Sequence, residues 1–295
     1  MKEQFRKEKI SVKKLVYIDT INIILKEYEE MGYTLTLRQL YYQLVARDFI
    51  PNHAREYSKL SGILVTARMN GLVDWDMIED RVRRPELPYW VRGIKHAIDD
   101  TIGAYRLDRQ KGQKNYIEIW TEKDAVSNIL KRVSYYHHIR LMVNRGYSSC
   151  SAMKNAYDRI SWRTGGMLSG QNPVIIYVGD HDPSGLDMIR DIEERLEEFG
   201  LCSLTVNHIA LTSNQIDDYN PPPNPTKITD PRAKWYIEKF GESSWELDAL
   251  RPDVLQEIVT NAVEELIDLD LFASVLKQEK VDKEKLASFA EDFEK

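Results

Sequence analysis

Cysteine is nearly absent from this chain. Its 295 residues include two, Cys150 and Cys202, too few and too far apart for a disulfide framework or a structural zinc site. Long apolar runs are missing as well. No stretch of 18 apolar residues occurs, which argues against a membrane-spanning helix, and no signal-like start is present. Internal repeats and low-complexity tracts are absent, which removes solenoids and fibrous arrays. What remains is an expected soluble protein of a reducing compartment, placed in the cytoplasm, long enough for two ordinary domains with their own cores.

Excess positive charge is lacking too, since the net charge is -6. Its distribution is uneven. Residues 1–115 carry 21 Lys and Arg against 16 Asp and Glu, and the remainder carries 20 against 31. The base-rich part permits contact with a polyanion, and the acid-rich part is where a bound cation would offset charge.

The chemistry concentrates in VGDHDPSGLDM, residues 178–188. It follows the β-branched run Val174, Ile175, Ile176, Val178 of a doubly buried parallel strand and precedes a segment with apolar residues at helical spacing. Asp, Gly and Pro are also ordinary turn formers. Strand, acidic turn, helix is nonetheless a βα unit, and open α/β sheets bind ligands at that edge. Alternate residues of an extended segment share a side, so Asp180 and Asp182 can converge. A second such unit is YIEIWTEKDAV, residues 116–126, with Glu122 and Lys123 at the strand tip. Carboxylates without a Cys or His cluster favour Mg²⁺ or Mn²⁺ over zinc. His181 is expected to point away from the two aspartates as a turn or surface residue.

These paired segments, Glu122-Lys123-Asp124-Ala125 and Asp180-His181-Asp182-Pro183-Ser184-Gly185, resemble the signature stretches of the Toprim domain. Within it, the chain is most similar to the DNA topoisomerase VI A subunit and meiotic double-strand-break protein family. A third segment fits that family: TLRQLYYQLV, residues 36–45, places Arg38 four residues before Tyr42, the second of a tyrosine pair. The resemblance spans roughly residues 34–259 and brings to mind the minimal stand-alone A-like proteins of mobile elements.

The resemblance implies an α/β fold: an N-terminal winged-helix domain (residues 1–96) carrying the catalytic tyrosine, a linker (97–114), a Toprim domain with a Rossmann-like parallel sheet (115–240), and a helical C-terminal region (241–295). The N-terminal part supports this independently, with three amphipathic helices in residues 14–71 and a wing expected from Gly71 onward. Arg55, Lys59, Arg68, Arg81, Arg83, Arg84 and Arg145 are the expected DNA contacts.

In the resembled family Tyr42 would attack a phosphodiester, Arg38 would orient it, Lys123 would assist, and Glu122, Asp180 and Asp182 would hold Mg²⁺ or Mn²⁺. The product is a 5′ phosphotyrosyl link on double-stranded DNA. Cutting both strands implies a homodimer with each site shared between protomers, in a nucleoid or other DNA-associated setting. The chain contains no ATPase module, so strand passage requires a B-type partner subunit. Glu246 and Asp248 lie in a segment that packs near the metal site in that family. Two other readings stay open: a Toprim nuclease using water, and a non-catalytic DNA-binding protein.

Overall fold

Apolar residues at helical spacing build the first element. In α1 (Val12–Glu30), Tyr17, Ile18, Ile21, Ile24, Leu25 and Tyr28 are buried, the one-sided pattern of a helix that docks on a core. Thr36 caps α2 (Leu37–Ala46) through a reciprocal capping box with Gln39, a motif worth about 1 kcal/mol. α3 (Ala54–Met69) buries Leu60, Ile63, Leu64 and Ala67, and the three helices share one apolar core. The computed structural model describes residues 1–79, 88–165 and 170–292. Among these, no strand pair follows α3 where a wing was expected. Instead isolated bridges join Gln4 to Asn70 and Leu35 to Ile78.

α4 (Ile94–Ala104) leads into an alternating series: β1 (Asn115–Thr121), α5 (Ser127–His137), β2 (Arg140–Val143), α6 (Cys150–Thr164), β3 (Asn172–Val178), α7 (Pro183–Glu198) and β4 (Thr205–Ala210). The four strands form one parallel sheet in the order β2-β1-β3-β4. β1 and β3 are central and buried beyond their first residues; β3 therefore reads as a near-continuous apolar run, while β1 carries one buried charge, Glu118, paired with Arg159. Right-handed crossovers put α5 on one face and, once the winding direction reverses, α6 and α7 on the other. The two apolar clusters match: α5 residues pack on one face, and Met153, Ile160, Met188 and Ile192 on the opposite one.

Two shorter helices, α8 (Ser213–Tyr219) and α9 (Ala233–Phe240), flank a Pro-rich stretch, and α10 (Pro252–Glu264) and α11 (Leu269–Asp292) follow. α10 covers the α5 face of the sheet. α11 lies against α4 and is anchored by a buried pair, Arg109 to Glu279 at 2.7 Å. No described helix is long and apolar enough to cross a membrane.

Candidate active site at the carboxyl edge of the sheet

The winding direction reverses between β1 and β3, so the loops leaving these neighbouring strands diverge and open a crevice, the place where such sheets bind ligands. Glu122 and Lys123 leave β1 there, and Asp180 leaves β3. Glu122 Oε1 accepts the Asp180 backbone N–H at 3.3 Å. Asp180 Oδ1 accepts the Leu247 N–H at 2.8 Å, and Oδ2 meets the Lys123 ammonium at 2.8 Å. The same ammonium reaches Glu246 at 3.1 Å and Asp248 at 3.4 Å. The segment bearing Glu246 and Asp248 is held beside β3 by paired backbone bonds between His181 and Trp245.

α2 delivers the remaining groups. Arg38 Nη2 lies 3.0 Å from Glu246 Oε1, and its Nε lies 3.6 Å from Asp248 Oδ2. Tyr42, one turn further along, has its hydroxyl 3.1 Å from Asn224 Nδ2, which donates to it. Asn224 belongs to the Pro-rich stretch, which Asn52 ties to the N-terminal helices through Pro223 at 2.6 Å and Asn224 at 3.0 Å. A phenol, a guanidinium, an ammonium and several carboxylates therefore meet within one chain.

Charge in this crevice is unbalanced. Among the described residues, Glu122, Asp180, Asp182, Glu246 and Asp248 face two cations, Lys123 and Arg38. Burial raises the Asp180 carboxyl well above its usual range, although Lys123 pulls it down. Glu122 is raised by burial, opposed by the Asp180 N–H and reinforced by Asp182. Glu246 ends lower than usual because Lys123 and Arg38 outweigh its burial. For Lys123, burial works against the ammonium, but Asp248, Asp180 and Glu246 win and the net shift is upward. Burial and then Glu246 raise the Tyr42 phenol, with Asn224 and Arg38 only partly compensating.

Several expected residues sit elsewhere or do other work. Asp182 caps α7, accepting from Gly185 N at 2.6 Å and Ser184 Oγ at 2.8 Å. His181 is buried between Tyr236, Phe240 and Trp245, with Nδ1 2.7 Å from the Tyr236 hydroxyl; it is a core residue rather than a turn or surface one. Tyr41 and Tyr42 are both buried. The Tyr41 hydroxyl bonds Asn52 at 2.9 Å. Arg55 and Lys59 are exposed on α3, with Lys59 paired to Glu56 at 2.9 Å. Arg68 is held by the Trp75 carbonyl at 2.7 Å and stacks on the Trp75 ring, a structural engagement. Arg145 is exposed in a left-handed turn, 3.4 Å from Asp124. Arg81, Arg83 and Arg84 lie outside the described residues. Asn224 was not foreseen, and nothing in its local sequence marks it as a partner of Tyr42.

The donor set suits a hard divalent cation in charge and atom type. Asp248 is the clearest sign: both its carboxylate oxygens are buried without a hydrogen bond among the described residues, where the cations nearest them are Lys123 at 3.4 Å and Arg38 at 3.6 Å. The spacing in this structure is set for Lys123 instead. Among the described residues no group of three or more His, Cys, Asp or Glu side chains is arranged to hold an ion. Neither a family model nor a curated protein sequence matches this chain.

Proposed function

We propose that this chain is a metal-dependent DNA-cleaving transesterase of the topoisomerase VI A-subunit type, acting on double-stranded DNA with Tyr42 as nucleophile. The observation that carries the reading is the convergence of Arg38 and Tyr42 with Lys123, Asp180, Glu246 and Asp248. Arg38 and Glu246 are 208 residues apart in sequence yet in contact, and the tyrosine segment, both acidic turns and the Glu246 segment meet at one sheet edge. In this reading residues 1–96 are the winged-helix part and 115–240 the Toprim part.

Glu122, Asp180 and the Asp182 oxygen that does not cap α7 would hold Mg²⁺ or Mn²⁺, and the cation would supply stabilisation of charge on the scissile phosphate. Arg38 orients the phosphate through its fork of donors. The Tyr42 oxygen bonds to phosphorus, the bond from phosphorus to the 3′ oxygen breaks, and the phenol gives its proton to water while the 3′ oxygen takes one from water and departs as a hydroxyl, so the step is proton-neutral. The 5′ phosphate stays on Tyr42, which keeps the bond energy and makes the step reversible. Cutting both strands takes a homodimer, and strand passage takes an ATPase partner.

One observation favours the hydrolytic alternative: the Tyr42 hydroxyl is buried beside a carboxylate. Mn²⁺, supercoiled DNA and a denaturing quench separate the two. The wild type should leave protein on labelled 5′ ends, while Tyr42→Phe should bind DNA equally and trap nothing. Cleavage by Tyr42→Phe that yields free 5′ phosphates would assign the reaction to water.

A further inference from the structure

A second concavity lies along β2, the outer strand beside β1. This is an edge strand: β1 pairs with one side, and among the described residues no strand pairs with the other. Asn144 donates its N–H to the Thr121 carbonyl at 2.8 Å. Backbone groups alternate along a strand, so Met142 also faces β1 while the N–H and C=O groups of Leu141 and Val143 turn outward. An open row of this kind is a template for another strand.

The row forms the floor of a cavity of about 790 Å³ walled by α5 and α6. A strand edge bordered by helices is the geometry to which extended peptides add, with main-chain bonds giving affinity and side-chain subsites giving selectivity. Trp162 on the α6 wall is 80% exposed and Tyr135 on the α5 wall 71% exposed. Both present large apolar faces beside the open edge.

Charge selects the occupant. The lining includes Lys131, Arg140, Arg159 and Arg163 against one carboxylate, Asp108. Glu118 beneath the groove balances Arg159 at 2.8 Å, and Asp108 balances Arg163 at 2.5 Å. Lys131 and Arg140 leave the edge positive. A second copy joining through its own β2 would be an isologous pairing, bringing two positive edges together, and like charges across a strand pair destabilise it. An acidic strand reverses that sign.

We propose that the outer edge of β2 docks an extended acidic segment of a partner protein. The segment adds as a fifth strand through Leu141 and Val143 and lays side chains against Trp162 and Tyr135. This assignment is independent of the DNA-cleavage reading.

The test uses the full chain and an array of synthetic heptapeptides in which Val or Ile alternates with Glu and Asp, with Ser and Thr, or with Lys and Arg. Binding is read by fluorescence anisotropy and by amide hydrogen exchange. The acidic set should bind best and slow exchange at Leu141 and Val143. Lys131→Glu combined with Arg140→Glu should weaken that binding by about tenfold or more, equivalent to ~1.4 kcal/mol. Because these side chains are exposed, the variant should keep its circular dichroism. If it does not, Trp162→Ala reads the same groove and should also weaken binding. The proposal is overturned if no acidic peptide binds or if basic peptides bind equally. It is also overturned if protection falls outside β2, if an oligothymidine displaces the peptide, or if the chain self-associates through β2 in a way that Val143→Pro abolishes.

Discussion

Replacing Lys123 by Met removes one charge and little volume, and the structure predicts a large effect. The ammonium lies 2.8, 3.1 and 3.4 Å from carboxylate oxygens of Asp180, Glu246 and Asp248. At an effective dielectric near 20, each contact at ~3 Å is worth ~5 kcal/mol before desolvation. Most of that offsets the burial of the charges themselves, and breaking such a cluster from one side costs ~3–5 kcal/mol. In a chain of this size the loss corresponds to roughly 10 °C in Tm. The assay is thermal unfolding at neutral pH in chelator, repeated with Mg²⁺. With the ammonium gone, a divalent ion has no competitor, so Mg²⁺ should restore the variant more than it stabilises the wild type. Saturation at 100 Kd would return ~2.7 kcal/mol. The deficit should also shrink in acid. A carboxyl whose folded pKa is raised binds its proton more tightly when folded, so the variant gains stability as pH falls from the folded value towards the unfolded one. A Lys123→Met protein as stable as wild type in chelator, or one indifferent to Mg²⁺, would refute this account of the crevice.

Three further outcomes follow from the same geometry. Asp180→Asn should weaken Mg²⁺ binding in calorimetry without changing the circular dichroism, and unaltered affinity removes Asp180 from the metal set. Arg55→Glu with Lys59→Glu should lower duplex DNA affinity and flatten its salt dependence, because each neutralised phosphate contributes ~0.9 to the slope; an unchanged slope excludes α3 from the interface. The pKa of His208 is depressed to about 4 by burial and by His181. The unfolded chain therefore takes up a proton that the folded one refuses, and stability should fall as pH drops from 6.5 towards 4, by up to roughly 3 kcal/mol. His208→Gln should remove that component from the pH dependence of unfolding, and an identical profile would show that His208 contributes nothing.

The parts of this fold that depend on local pattern were legible in the sequence. β1 and β3 are central strands covered on both faces, and such burial favours the apolar run of β3, which ends where Asp180 follows, and the mostly apolar β1, broken only by the paired Glu118. Thr36 and Gln39 announce the start of α2 by their spacing alone. The Asp-Pro-Ser-Gly turn was ambiguous for a physical reason: an aspartate before proline is both a carboxylate ligand and a helix cap, and here Asp182 caps. What stayed hidden was long-range. The setting of Tyr42 depends on Asn224 and on the Glu246 segment, which docks on α2 from far along the chain, and no local periodicity encodes that contact. Among the described residues no strand pair follows α3: Asn70 and Ile78 take part in single bridges and Trp75 is clamped by Arg68, while residues 80–87 of the expected wing lie outside the described residues.

For Tyr42 to attack phosphorus, its hydroxyl must reach solvent and shed a proton, and this arrangement opposes both. Burial and the Glu246 carboxylate hold the phenol protonated. The group best placed to change that is Arg38, which is half exposed and divided between Glu246 and Asp248. A phosphodiester arriving at Arg38 competes with those two carboxylates for the guanidinium. Each carboxylate that loses Arg38 would fall back on Lys123, drawing it away from Asp180, so phosphate binding would raise the demand for a cation there. Linkage would make the effect reciprocal: a cation held by Glu122, Asp180 and Asp182 would release Lys123 from Asp180 to Glu246 and Asp248 and so free Arg38 for the phosphate. In the DNA-cleavage reading, the excess negative charge of the crevice thereby couples metal and DNA binding through two side chains, Arg38 and Lys123. The buried phenol is then the resting state, in which neither ligand is bound.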